Sequence, residues 1–284
     1  MTGSALRALA PRWRLLVSPP ADGATNMAVD AALLADARRT GAATLRLYAW
    51  DRPTLSLGRH ERARDRFDAA AIEDQGVGVV RRPTGGRALL HHREVTYSVT
   101  APAALPMGES YAAINAMLLD ALRALGVAAV PAAPARRPLR PEGAACFAEP
   151  AAGELVVDGA KLVGSAQLRE EGALLQHGSI LLADDQWRIA RLRRKGPGTG
   201  IDGSRDTDGP AADDSLDRTA PAATLEALLG RPVRPDEVEA ALATALAHAT
   251  GAPPEPADLG APSLRDDLAR LVIAFADPTW TWRR

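Results

Sequence analysis

The stretch ELVVDGAKLVGSAQLREEGALLQHGSILL, Glu154 to Leu182, decides the fold. Glu154-Leu155-Val156-Val157 reads as a short strand and Ala160 to Gln167 as a second. Between them Asp158-Gly159 suits the positive φ angles of a two-residue turn, so the two strands form a hairpin. Gly178 to Leu182 supplies a third strand. Alternation along the second strand puts Lys161, Val163, Ser165 and Gln167 on one face and Leu162, Gly164 and Ala166 on the other. The lysine stands out because the chain's 34 basic residues are arginines except for Lys161 and Lys195. Lysine is a compact point charge whose pKa shifts on desolvation, whereas arginine is a wide planar fork. Composition leaves two readings open: a solvated hairpin lysine, or one held for a site that must stabilise a developing oxyanion or thiolate.

Outward from the hairpin, elements alternate. Asn26 to Arg39 reads as a helix with Val29, Leu33, Leu34 and Ala37 on its apolar side. Leu45 to Tyr48, Thr54 to Leu57, Gly78 to Arg82 and Glu94 to Val99 read as strands. Gly108 to Gly126 is the clearest helix, with Ile114, Met117, Leu118, Ala121, Leu122 and Leu125 at helical spacing. Thr224 to Thr250 is helical with a break at Gly230-Arg231-Pro232. The sum is an α+β fold, a mixed, mainly antiparallel β-sheet flanked by helices. We expect a catalytic core over residues 25–195, a flexible Gly- and Asp-rich loop over 196–215, and a C-terminal helical segment over 216–284 packed on the core.

A chain of 284 residues, 46% hydrophobic, can bury a sizeable core. Its net charge of -1 gives no global reason to expect nucleic acid or an anionic membrane as partner. Neither a signal-peptide run at the N-terminus nor a stretch of roughly 20 apolar residues is present, so a cytoplasmic protein is expected. The single cysteine, Cys146, excludes an internal disulfide and a cysteine-cluster metal site.

Two further segments carry candidate chemistry. RRPTGGRALLHHREVTYSV, Arg81 to Val99, holds Thr84-Gly85-Gly86 between two strands, where the backbone can approach a ligand closely. A plain hairpin loop needs the same residues. Arg82 and Arg87 add positive charge there. His91-His92 cannot chelate one metal, because adjacent strand residues face opposite ways, and no metal is expected. Cys146 follows the proline-rich run Pro131 to Gly143. It is either a small buried apolar residue or a loop thiol that a nearby cation such as Lys161 holds as a thiolate.

These segments resemble the two signatures of the lipoate-protein ligase, biotin-ligase-like superfamily, and NMAVDAALL with LRLYAWDRPTLSLGR is similar to its N-terminal segment. The match spans Asn26 to Leu182. A cysteine in a CF context upstream of the DGAKLVGSAQ lysine resembles the cysteine-dependent octanoyltransferases that act with the glycine cleavage H protein. The resemblance implies a biotin/lipoate ligase-like catalytic domain and an acyltransferase needing no cofactor. Octanoyl-acyl carrier protein would be the donor and a lipoyl-domain protein the acceptor. It also implies that Cys146 carries an acyl-thioester and that Lys161 lowers its pKa. Arg82, Thr84, Gly85, Gly86, His91, Gly164, Ser165, Ala166, His177 and Gly178 would bind the acyl group. An ATP-dependent lipoate ligase and a non-catalytic acyl-binding module are the alternatives. The sequence departs from the pattern at Arg59-His60-Glu61 and at His92, where the family often has glutamine and an acidic residue.

Overall fold

The computed structural model describes residues 2–133, 147, 150–194 and 221–283. In chain order, α1 (Thr2–Leu9), β1 (Trp13–Val17), α2 (Gly23–Thr40) and β2 (Ala43–Tyr48) come first. β3 (Thr54–Leu57), α3 (Ala69–Asp74), β4 (Gly78–Arg81) and β5 (Leu89–His91) form a small unit, and β6 (Glu94–Pro102) and α4 (Met107–Ala124) follow. β7 (Val130–Pro131), β8 (Leu155–Val157), β9 (Ala160–Glu170) and β10 (Ala173–Leu181) lead to a 3-10 helix, Gln186–Leu192. α5 (Leu225–Leu229), α6 (Pro235–Thr250), β11 (Glu255–Pro256), α7 (Pro262–Ala276) and α8 (Pro278–Thr281) complete the described chain. Eight strands form one sheet in the order β11-β1-β2-β6-β10-β9-β8-β7, and β4-β3-β5 form a second. Only the β11-β1, β1-β2 and β3-β4 pairs are parallel, as expected of a mainly antiparallel architecture.

Asp158 and Gly159 have φ values of 50° and 81°, the left-handed pair that the two-residue turn requires. A second turn of the same kind, Glu171-Gly172 at 48° and 82°, joins β9 to β10. The third strand therefore begins at Ala173 rather than Gly178. α2 begins before Asn26, because the Asp22 side chain accepts from the Thr25 amide at 2.8 Å and caps the helix.

One face of the large sheet is apolar. Leu45 and Leu47 of β2, Val95, Tyr97 and Val99 of β6, and Leu174 and Ile180 of β10 pack with Ile114, Met117, Leu118 and Leu122 of α4. Leu6 of α1 and Val238, Leu242 and Leu246 of α6 join the same core.

The opposite face is polar and equally buried. Alternation along β6 sends Glu94, Thr96, Ser98 and Thr100 to it, each at most 3% exposed. α2 covers this face. Of its apolar side, Val29 and Leu33 pack with Leu264 of α7, and Leu34 packs with Ala173 and Leu175 of β10. Toward the sheet α2 sends Asn26 and Asp30, both fully buried. The Asp30 carboxylate accepts from Arg46 Nη1 at 2.8 Å and Ser98 Oγ at 2.7 Å on one oxygen. Tyr48 Oη and His177 Nδ1 meet the other oxygen, both at 3.1 Å. Arg46 also donates to Asn26 O, Asn26 Oδ1 and Ser18 Oγ, and its guanidinium lies 3.9 Å from the Tyr48 ring centroid. Burial pushes the Asp30 carboxyl up, and Arg46 with His177 more than reverses this, holding it below the usual carboxylate value of 3.8. Because the folded value is the lower one, this stabilisation is present above that range and is lost as pH falls through the folded value.

Arg46→Met is expected to cost about 3–5 kcal/mol, because it strands a buried carboxylate. Urea unfolding should show a lower midpoint at unchanged slope. Arg46→Met combined with Asp30→Leu should lose less than the two single changes added. A near-neutral Arg46→Met variant would show that the pair does not anchor α2.

Candidate active site

The polar face opens into a cavity of about 310 Å³. Met27, Tyr48, Thr96 and Ser179 form part of its wall. Of the expected site residues, Arg82, Gly85, Gly86, His91, Gly164, Ser165, Ala166, His177 and Gly178 all line it. Thr84 is fully buried, with its hydroxyl 2.7 Å from His177 Nε2. Cys146 lies outside the described residues, as do residues 134–145 before it and the 196–215 loop.

Arg82 lines the cavity, yet much of its guanidinium is committed to its own loop. It donates to Ser56 O and Ser56 Oγ at 3.0 Å, to Gly85 O at 3.0 Å and to Arg87 O at 2.7 Å. The segment from Arg82 to Arg87 thus closes on its own arginine and holds Gly85 and Gly86 at the cavity wall.

Two buried histidines stand on carboxylates. His177 Nδ1 meets Asp30, and its Nε2 meets Thr84. Burial pushes the His177 imidazole below its usual value of 6.5, against the opposing pull of Asp30, so it is neutral at neutral pH. His91 Nδ1 lies 2.7 Å from Glu94 Oε1 and its Nε2 lies 2.8 Å from Ser56 Oγ. Its ring stacks on Trp50 with centroids 4.0 Å apart. His92 turns away, as strand alternation requires, and pairs with Asp185 at 2.6 Å. Among the described residues no cluster of three or more His, Cys, Asp or Glu could hold a metal ion.

Lys161 is not a solvated hairpin residue. It is 2% exposed, and its Nζ lies 2.7 Å from Glu154 Oε2, itself on a buried residue that lines the cavity. The expected face is also corrected. The pairing of β8 with β9 slips between Leu155 and Val156, so Leu155 pairs with Val163 and Val156 with Lys161. This bulge carries both Leu162 and Val163 into the apolar core. The lysine chain crosses Gly164, where a Cβ would stand 2.8 Å from Lys161 Cε and 3.3 Å from Phe147 Cζ. Only glycine leaves that space. Phe147 is buried against Leu89 and Leu181, with its ring centroid 5.0 Å from Lys161 Nζ.

Asp30, Glu94, Glu154 and Ser56 were not foreseen as parts of the site. Glu154 had a signal, since it heads the strand whose hairpin partner carries the rare lysine. The others become visible only once α2 is known to present its polar side to the sheet.

The lipoyl protein ligase A/B catalytic domain family matches residues 22–247. The octanoyltransferase LipM of Kyrpidia tusciae is 42% identical, covering 96% of this chain and 99% of its own length. That of Symbiobacterium thermophilum is 37% identical, covering 96% and 98%. Among solved structures, a lipoate-protein ligase A bound with ATP superposes with a TM-score of 0.75 at 18% identity, covering 95% of this chain and 98% of that one. A bi-partite lipoate protein ligase from Thermoplasma acidophilum gives 0.73 at 20%, covering 95% and 96%. These structures share the fold.

Lys161→Arg keeps the charge but must force a wider head between Gly164 and Phe147. It is expected to lower stability by about 1–3 kcal/mol through overpacking. Lys161→Met, which strands Glu154 without its cation, should cost about 3–5 kcal/mol. Urea midpoints measure both, and an arginine variant as stable as the parent would show that the slot is not tailored to an ammonium.

Proposed function

The chain belongs to the lipoyl protein ligase A/B catalytic domain family and is an octanoyltransferase, an acyltransferase of lipoate biosynthesis. We propose that it takes an octanoyl group from the thioester of an acyl carrier protein, holds it on Cys146, and passes it to the lysine of a lipoyl-domain protein. Glycine cleavage H protein is the acceptor we infer. The observation that most supports this reading is Phe147, the residue next to Cys146 in sequence, buried beside Lys161 at the edge of the cavity.

In the first step the Cys146 thiolate attacks the octanoyl carbonyl carbon. The carbon–sulfur bond to the carrier breaks, and the carrier thiolate takes up the proton that Cys146 gave. In the second, the acceptor amine attacks the new thioester. Cys146 leaves as thiolate and is reprotonated by the proton the amine sheds. The first exchange is nearly balanced, and formation of the amide is downhill, so no nucleotide is required. Lys161 is a compact ammonium beside Glu154 and Phe147, a charge suited to stabilise a thiolate or a carbonyl oxygen brought to it. The opposing charge of Glu154 moderates its pull, so its role is positional as much as electrostatic. Gly85, Gly86, Gly164 and Gly178 leave room along the cavity wall for an unbranched chain.

Mixing the full chain with octanoyl-carrier protein and no ATP should add one octanoyl group, seen in the intact mass and released by neutral hydroxylamine. Cys146→Ser should abolish the adduct and lower transfer by orders of magnitude, since a neighbouring cation cannot ionise a serine hydroxyl at neutral pH. Lys161→Arg and Lys161→Ala should both lose transfer. An unmodified parent that needs ATP with free octanoate or lipoate and tolerates Cys146→Ser would overturn the reading in favour of a ligase.

A further inference from the structure

The polar face joins α2 to the cavity by one uninterrupted chain, Asp30 Oδ2 to His177 Nδ1 at 3.1 Å and His177 Nε2 to Thr84 Oγ1 at 2.7 Å. We propose that Asp30 is a positioning residue for acyl transfer, fixing the tautomer of His177 and, through it, the Thr84-Gly85-Gly86 wall of the cavity. This rests on the acyl-transfer reading above, and it assigns a role to a residue that does not line the cavity.

The tautomer follows from the donor inventory. Asp30 is ionised and can only accept, so the hydrogen between it and His177 must sit on Nδ1. His177 is neutral, so Nε2 carries a lone pair and the Thr84 hydroxyl donates to it. The direction of both bonds is therefore set by a carboxylate on a helix across the sheet face. Thr84 is the first residue of the Gly-Gly wall, and its neighbours on the other side are held by Arg82. Each end of Thr84-Gly85-Gly86 thus has a buried anchor, one of them leading to α2. The groups around His177 are Asp30 from α2, Arg82 from the loop and His91 from β5, and of these only Asp30 accepts a hydrogen from it. Such anchoring matters when charge develops on a carbonyl oxygen, because donors in the wall are useful only if already in place.

The two carboxylate oxygens are used differently, and this makes a clean substitution possible. Arg46 and Ser98 bind Oδ1, while Tyr48 and His177 face Oδ2. In Asp30→Asn the side-chain oxygen stays with the Arg46 guanidinium, which needs an acceptor, and the amide NH2 takes the place of Oδ2. That NH2 donates to His177 Nδ1 and drives the ring proton to Nε2, the logic by which Asp-to-Asn replacement disables a Ser-His-Asp triad.

The experiment is long-range 15N–1H NMR of the imidazoles in the full chain without acyl donor, with steady-state kinetics of the same variants. In the parent, His177 should carry its proton on Nδ1 and be neutral at neutral pH. Asp30→Asn should move the proton to Nε2 and lower kcat on the order of 10²-fold with little change in donor KM. Thr84→Ser, which keeps the hydroxyl, should remain within about threefold of the parent, and Thr84→Val should fall with Asp30→Asn. A parent proton on Nε2, or Thr84→Val as active as Thr84→Ser, would overturn the proposal. If Asp30→Asn does not fold, the parent tautomer and the two Thr84 variants still decide. The NMR needs no acylation, so a failed Cys146 reading shows up separately, as the missing octanoyl adduct.

Discussion

A single buried carboxylate organises the functional half of this molecule. Asp30 accepts from groups on three strands, Arg46 and Tyr48 of β2, Ser98 of β6 and His177 of β10, and it does so from a helix that contributes no other charge to that spot. An isolated ion would not survive there, since its desolvation exceeds what one partner returns. Four donors on two oxygens satisfy it. In doing so they fix the helix against the sheet at one rotation and one height. A hydrophobic interface of the same area would be stable but would tolerate sliding, because apolar contact carries no direction. Specific placement is what the polar face gains, and the cavity needs it, since its walls come from α2, both sheets and the β9-β10 hairpin.

The second ion pair, Lys161 with Glu154, does locally what Asp30 and Arg46 do globally. The β8-β9 bulge sends two consecutive residues into the core and so turns Lys161 toward Gly164 and the cavity edge. Its ammonium ends beside a carboxylate and an aromatic ring. Of the chain's two lysines, Lys161 is the one whose slot accounts for the choice over arginine. Its side chain runs so close to Gly164 that a Cβ there would stand 2.8 Å from Lys161 Cε.

Local chemistry made much of this legible. Asp158-Gly159 declared its turn, the alternation of Glu94 to Val99 declared a strand, and the spacing of Ile114 to Leu122 declared α4, because each signal is contained within a few residues. The rarity of Lys161 marked it out but left open both a solvated hairpin lysine and a site lysine, whereas the Gly-Gly loop and His177 fell on the same cavity. What escaped depended on partners far away in sequence. Glu171-Gly172 makes the same turn as Asp158-Gly159 with a less telling residue, so β10 was read short. Val29 and Leu33 formed a true apolar side, but a sequence cannot say whether that side meets a sheet or another helix, and α7 took it. Buried polar alternation on β6 looks like a solvated face until something covers it. The bulge, which overturned the expected partners of Lys161, leaves no mark in a pattern of period two.

An octanoyl chain bound in this cavity, as proposed above, would sit among many ionic residues, which is at first a contradiction. Asp30, Arg46, Glu94 and Arg82 all lie within or behind it. The resolution lies in depth. Asp30 is held by its four donors and Arg82 by Ser56 and its own loop carbonyls, whereas Glu94 engages His91, Thr96 and Ser179 through Oε1 and its Oε2 has no hydrogen-bond partner among the described residues. The cavity wall combines small and apolar residues, Gly85, Gly86, Gly164, Ala166, Gly178, Met27 and Leu89, with polar ones such as Arg82, His91, Glu154, Gln167 and His177. Burying a methylene contributes roughly 0.8 kcal/mol, so an eight-carbon chain can draw on about 5 kcal/mol from such a wall if it need not disturb the network behind it. On the proposed reading the polar groups would act on the reacting end, and the glycines of the wall would let them approach the carbonyl without crowding the chain.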